Sequence, residues 1–216
     1  MKTISLKLVG TKPLMVHNPR VVDPFDKYKK LLQPLTSKRT KTDDDLLEIC
    51  RLQFLASLYY RNGEYVLPQS HVEGSFQAAA KERKLGKKFE RSFGLYGDGV
   101  LQFKDNDKTP EELFEVGRTK EGYFDPSTSY VDTRACGIKG SIKVPATRAI
   151  FPEWSTEVTC WYDETQLNEE EVLQVAEIAG LRYHVGTYRK LYGAFKVEKK
   201  IIHSIIRYGA ERFGRV

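Results

Sequence analysis

The chain has 216 residues, 40% hydrophobic and 30% charged, with a formal net charge of +6 at pH 7. That composition describes a soluble globular protein with one sizeable core, and no apolar run approaches the length of a membrane span. Cys50, Cys136 and Cys160 are far apart and odd in number, which fits reduced thiols; with four scattered histidines they make no zinc spacing. No P-loop, dinucleotide fingerprint or nucleophile elbow is present, which argues against an ATPase or a dehydrogenase. No metal and no cofactor are expected. The opening Met1-Lys2-Thr3-Ile4 alternates at once, unlike a signal peptide, so a cytoplasmic location is expected.

Ile4, Leu6 and Leu8 alternate with polar residues, so residues 2–9 are predicted as a half-buried strand. Four prolines between Pro13 and Pro34 predict an elaborated loop, with one short helix around 27–32. Thr42 is placed to cap a helix whose first turn carries Asp43, Asp44 and Asp45 and which ends near Tyr60. A short strand, 64–67, follows. Ser70 and Glu73 have capping-box spacing, predicting a helix over 71–84. Its N-terminal amides suit a phosphate, although for Ser70 alone plain capping is the simpler account.

Gly94 to Gly99 is rich in turn residues, and 100–103 is a candidate strand. Residues 104–140 lack periodicity and are too long for an ordinary connection, so they are predicted as an insertion that protrudes, with hairpin potential over 130–143. Residues 154–162 alternate and are a strand. Asn168, Glu169, Glu170 and Glu171 open a helix that Gly180 closes. After it come Gly180, Gly186 and Gly193, interleaved with Arg182, Arg189, Lys190, Tyr183, Tyr188 and Tyr192. Cations that hold a phosphate chain and rings that stack bases suit a single-stranded nucleic acid; a solvated connection with tyrosines on the core has the same composition. A last strand, 194–197, leads to a basic amphipathic tail, 199–216.

Without its insertions the order is strand, helix, strand, strand, helix, strand. That is the split βαβ order of a ferredoxin-like or RRM-like α+β fold, an antiparallel sheet with helices on one face. No aromatic RNP1-type run lies on a central strand.

Residues Tyr65 to Phe76, YVLPQSHVEGSF, resemble the aliphatic-Pro-Gly-Ser-Ser-aliphatic-Lys-Gly segment of the repeat-associated mysterious protein (RAMP) superfamily. The stretch from Gly180 to Phe195 is similar to that family's glycine-rich loop, and Val144-Pro145-Ala146-Thr147 with strand 154–162 resembles its third core strand. The nearest group is the backbone subunits of multi-subunit CRISPR effector complexes, and the resemblance covers about two thirds of the chain. Gln69 stands where the family has Gly and Glu73 where it often has Lys.

The resemblance implies a single RAMP-like domain, 1–198, with insertions at about 13–63 and a thumb at about 104–140. It implies binding of single-stranded RNA in a homo-oligomer or filament, or beside other subunits of a ribonucleoprotein in antiviral defence, with no membrane partner. A single-stranded DNA-binding protein of a phage or mobile element is the alternative. Candidate contacts are Arg20, Lys38, Arg39, Lys41, Ser70, His71, Arg148, Arg182, Tyr188, Arg189, Lys190 and Tyr192. Some relatives cleave RNA with an acidic residue in the loop after the first strand or with a histidine, which makes Asp23, Asp26 and His17 candidates for an endoribonuclease of the same fold.

Overall fold

The structure, a computed structural model, describes residues 1–137 and 143–200. In chain order the strands are β1 (Lys2–Gly10), β2 (Leu14–Met15), β3 (Tyr60–Arg61), β4 (Glu64–Leu67), β5 (Phe93–Leu95), β6 (Gly99–Gln102), β7 (Val131–Gly137), β8 (Lys143–Phe151), β9 (Ser155–Tyr162) and β10 (Phe195–Lys200). The helices are α1 (Lys27–Thr36), α2 (Asp43–Ser57), α3 (Gln69–Glu82), α4 (Gly86–Ser92), α5 (Pro110–Glu115) and α6 (Glu169–Ile178). None of the helices among the described residues is long and apolar enough to cross a membrane. Cys50, Cys136 and Cys160 are unpaired.

The main sheet runs β10-β1-β9-β6-β4-β3, with β5 also on β9, and every pairing is antiparallel. Taken as the core elements β1, α3, β5/β6, β9, α6 and β10, this is the split βαβ order: last strand, first, third, second. Alternation sets the faces. Ile4, Leu6 and Leu8 lie opposite Cys160, Val158 and Thr156, all buried. Val72, Phe76 and Ala79 of α3 and Val172, Val175 and Ala176 of α6 bury on the same core. Capping boxes open α2 (Thr42 with Asp45) and α6 (Asn168 with Glu171). Each satisfies two backbone donors that the helix itself leaves free.

A second antiparallel sheet, β2-β8-β7, packs through β8 against α2, and α1 packs on α2. The hairpin expected over 130–143 is β7 paired with β8, from Val131↔Ala149 to Gly137↔Lys143. The preceding stretch packs down where protrusion was expected. Leu113 and Phe114 of α5 are buried, the Phe54 and Phe114 rings are 5.5 Å apart, and the Tyr65 hydroxyl donates to the Lys108 carbonyl at 3.0 Å. The two expected insertions thus share a core. The expected tail lies outside the described residues beyond Lys200, and β10 extends past the expected end at 197.

Three local readings change. The helix expected over 71–84 begins at Gln69 and ends at Glu82, and Lys84 takes a positive φ of 62°. The basic run after it forms a separate helix, α4. Ser70 does not cap α3: Asp98, from the β5–β6 connection, accepts from the Gln69 backbone N–H at 2.9 Å. The connection reaches there because the second core strand is broken. Leu95 pairs with Cys160 and Leu101 with Thr156, so the five residues between these pairs on one side face three on the other and a bulge is pushed out.

The two departures from the family segment work together. The Gln69 side-chain amide donates to Glu73 at 2.9 Å and to the Leu95 carbonyl at 3.1 Å, while Glu73 accepts from Leu95 N–H at 2.9 Å. They tie the first turn of α3 to β5. Asp98→Ala is expected to remove the cap for about 1 kcal/mol, a fall in Tm of roughly 2–4 °C for a chain of this size. Thermal denaturation checks it, and an unchanged Tm would show that the carboxylate contributes nothing there.

Candidate nucleic-acid interface

After α6 the chain makes one wide turn, Ala179–Tyr183, and enters the glycine loop. Gly180 lies so close to Phe195 that a β-carbon would collide with the Phe195 carbonyl oxygen. Gly193, at φ 72°, lies against the Val185 carbonyl in the same way. Hydrogen bonds then fix the loop. Val185 N–H reaches Gly193 O at 3.0 Å, Thr187 N–H reaches Met15 O at 2.8 Å and Gly193 N–H reaches Pro13 O at 2.8 Å. His184, at φ 56° and buried, faces the Arg189 carbonyl with Nδ1 and the Leu181 carbonyl with Nε2. The loop base is therefore held by β2 and its lead-in, and the tip from Tyr188 to Leu191 is exposed.

The tip meets the second sheet. The Arg148 guanidinium, from β8, lies over the Tyr188 ring at 4.8 Å, and the Tyr188 hydroxyl is 3.0 Å from Cys136 Sγ on β7. Arg134 of β7 stacks on the Tyr192 ring at 4.7 Å and donates to its hydroxyl. Two histidines border the same place. His71, in the first turn of α3, stands edge-on to Tyr59, with Nε2 3.4 Å from the Tyr59 hydroxyl, and that hydroxyl donates to the His17 carbonyl at 3.0 Å.

Burial, then the nearby Arg189 charge, lowers the His71 pKa, with Asp98 opposing. Burial, then Arg148, lowers that of His17. Both are therefore neutral at pH 7. His71 Nδ1 and Arg148 Nε are buried with no hydrogen-bond partner among the described residues.

The structure divides the sequence candidates by their partners. His17, His71, Arg148, Tyr188 and Arg189 come together from four separate stretches of chain. Lys190 is exposed beside them, and neither it, Arg148 nor Arg189 has an ion-pair partner among the described residues. Other cations are engaged elsewhere. Arg182 pairs with Glu82, at the far end of α3 from His71. Eleven residues of helix separate Glu82 from His71, about 16 Å. Lys38 pairs with Asp45 at 2.6 Å, and Lys41 donates to the Lys38 carbonyl. Arg39 is exposed in the same turn, and Ser70 is exposed one residue before His71.

Arg20 pairs with Asp26 at 2.7 Å and lies over the Tyr28 ring. Asp26 also caps α1 through Tyr28 N–H. Burial opposes its ionisation, but Arg20 and the capping amides outweigh that and lower its pKa. Asp23 accepts from Phe25 N–H at 2.9 Å in a tight turn. Both aspartates thus have structural partners. Tyr59, Arg134 and His184 were missed: their partners lie 12, 58 and 5 residues away, and no local spacing marks them. No group of three or more His, Cys, Asp or Glu among the described residues can hold a metal ion.

No protein-family model matches the chain, and no curated protein does. Among solved structures, a chain in the cryo-EM structure of the type III-B Cmr-beta complex bound to cognate target RNA aligns over 92% of this chain and 60% of its own length, with a TM-score of 0.50 and 14% identity. The chain shares its fold with a subunit of that complex. The crystal structure of Cmr6 from Pyrococcus furiosus aligns over 91% of this chain and 98% of its own, with a TM-score of 0.38 and 13% identity. The chain spans about 60% of the Cmr-beta subunit it matches. The resemblance to CRISPR effector backbone subunits read from Tyr65–Phe76 and Gly180–Phe195 is, at this identity, a resemblance of fold.

Proposed function

We propose that the chain is a single-stranded nucleic-acid-binding protein, with RNA favoured over DNA, that packs side by side along the strand as a backbone-type subunit of a ribonucleoprotein assembly. One observation carries this reading. Arg148 and Arg189, from distant parts of the chain, converge without acidic partners on a surface edged by Tyr188 and two neutral histidines. Cations left unpaired beside an exposed ring suit a phosphate backbone with a base stacked next to it.

The similarity to a chain from a complex bound to target RNA supports the choice of RNA. In this reading the β7–β8 hairpin, whose Cys136 lies beside Tyr188 of the glycine loop, belongs to the thumb-like insertion. Filter binding at low salt to single-stranded RNA and DNA tests the reading. Salt-sensitive retention of RNA is expected; tighter retention of DNA would favour a mobile-element DNA-binding protein, and retention of neither would end the proposal.

A phosphate entering beside His17 and His71 raises their pKa values, because an adjacent anion favours the imidazolium. Binding then takes up protons. Affinity is expected to rise as pH falls through and below about 6.5, the unperturbed histidine value, and to be flat above pH 8. Fluorescence anisotropy at constant ionic strength across pH 5.5–8.5 measures this, and a flat profile would remove the histidines from the interface.

A further inference from the structure

A small cavity opens beside the cluster, between α1, α2 and β8. Its volume is about 150 Å³, and its walls include Val21, Leu32 and Ala56 with His17, Gln53 and Arg148. Drug-sized ligands need about 300–1,000 Å³. This space suits one planar ring system.

Two of its polar residues, Gln53 and Arg148, offer donors. Gln53 Oε1 accepts from Thr147 N–H at 2.8 Å, and since that partner is a donor the flip of the amide is fixed with its NH2 left to donate. Arg148 Nε–H is also a donor, buried and unpartnered among the described residues. Arg148 links the cavity to the surface, because its guanidinium covers the Tyr188 ring.

We propose that this cavity takes one nucleobase turned out of the bound strand, and that it selects uracil or guanine, which carry a carbonyl oxygen at the edge where adenine and cytosine carry an amino group. The inference rests on the nucleic-acid reading above and adds base recognition to it. Single-stranded RNA is read by splaying bases, stacking them on aromatic rings or guanidinium planes, and bonding their edges. The apolar walls take the faces of the base. The Gln53 and Arg148 donors meet O4 of uracil or O6 and N7 of guanine. The amino group of adenine or cytosine would set donor against donor. A buried polar site left unpaired discriminates strongly, which a greasy slot alone does not do.

The test compares labelled oligo-U, oligo-A and oligo-C by anisotropy at one salt concentration, for the unaltered protein and for Gln53→Leu and Ala146→Phe. Ala146 also lines the cavity, so its enlargement fills the space while both donor residues stay in the sequence. The unaltered protein is expected to favour oligo-U by about tenfold, the worth of a good base-edge contact. Both variants should lower oligo-U affinity to the oligo-A value.

Equal binding of the three oligomers by the unaltered protein, with the salt dependence kept, overturns the cavity but leaves the nucleic-acid reading intact. Failure to bind any of them overturns both. A preference that survives both variants also overturns the cavity. Circular dichroism establishes that each variant is folded. Crosslinking of 4-thiouridine oligomers, mapped by mass spectrometry, supplies a readout on the unaltered protein. Crosslinks at His17 to Val21 are expected, and crosslinks confined to Tyr188 to Leu191 would count against a base in the cavity.

Discussion

Alanine at both Arg148 and Arg189 is expected to weaken single-stranded RNA binding by about 100-fold. A hydrogen bond to a charged group contributes about 1.5–3 kcal/mol, so losing two amounts to roughly 3 kcal/mol or more, at 1.4 kcal/mol per tenfold. The salt dependence separates this from a folding defect. Each phosphate contact on a single strand contributes about 0.7 to the slope of log K against log salt, so the slope should fall by about 1.4. The comparison is Arg182→Ala with Lys38→Ala. Both removed charges have carboxylate partners in the folded protein, Glu82 and Asp45, and the pair is expected to change affinity less than threefold. If both double variants lose affinity and slope equally, the protein binds through diffuse charge and the cluster has no special role.

That contrast also measures how far the sequence could be read. Features set by neighbours in the chain were legible. The alternation of Ile4, Leu6 and Leu8 placed β1, and the side chains of Thr42 and Asn168 capped α2 and α6 because their targets lie three residues on. Features set by distant partners were not. Ser70 with Glu73 has capping-box spacing, but the cap comes from Asp98, 29 residues beyond Gln69. The turn-rich stretch 94–99 hid β5, because its bulge is fixed by pairing to β9 on both sides.

The site divides in the same way. Glycine spacing pointed to Arg189 and Tyr188, and the glycines do sit where backbones touch. Arg182 looked equivalent to Arg189 because the residue that neutralises it, Glu82, is 100 positions earlier. Arg148 looked weak because its ring, Tyr188, belongs to the far end of the chain. Charge is visible in a sequence; whether that charge is already satisfied depends on the fold.

The glycine loop gives the second large effect, and it is one of stability. Gly193→Ala places a β-carbon against the Val185 carbonyl oxygen at a φ of 72°. The left-handed backbone costs an L-residue roughly 1–2 kcal/mol, and forcing atoms into a packed site adds about 1–3 kcal/mol. A loss of about 3 kcal/mol is expected. At roughly 2–4 °C per kcal/mol, Tm falls by about 6–12 °C. Gly74→Ala supplies the opposite sign. Gly74 lies inside α3, where an added β-carbon meets nothing within 4 Å, and alanine there should stabilise by about 0.5–1 kcal/mol.

The two substitutions add the same methyl group, so a difference in sign reports the left-handed backbone and the close contact of Gly193 together. Gly193 also donates to Pro13 O and accepts from Val185 N–H. Displacing it shifts the loop that holds Arg189 and Tyr188 over β8. RNA affinity measured well below the new Tm should therefore fall in Gly193→Ala and stay unchanged in Gly74→Ala. An unchanged Tm for Gly193→Ala would show that the loop does not pack against Val185, and the placement of Arg189 beside Arg148 would lose its basis with it.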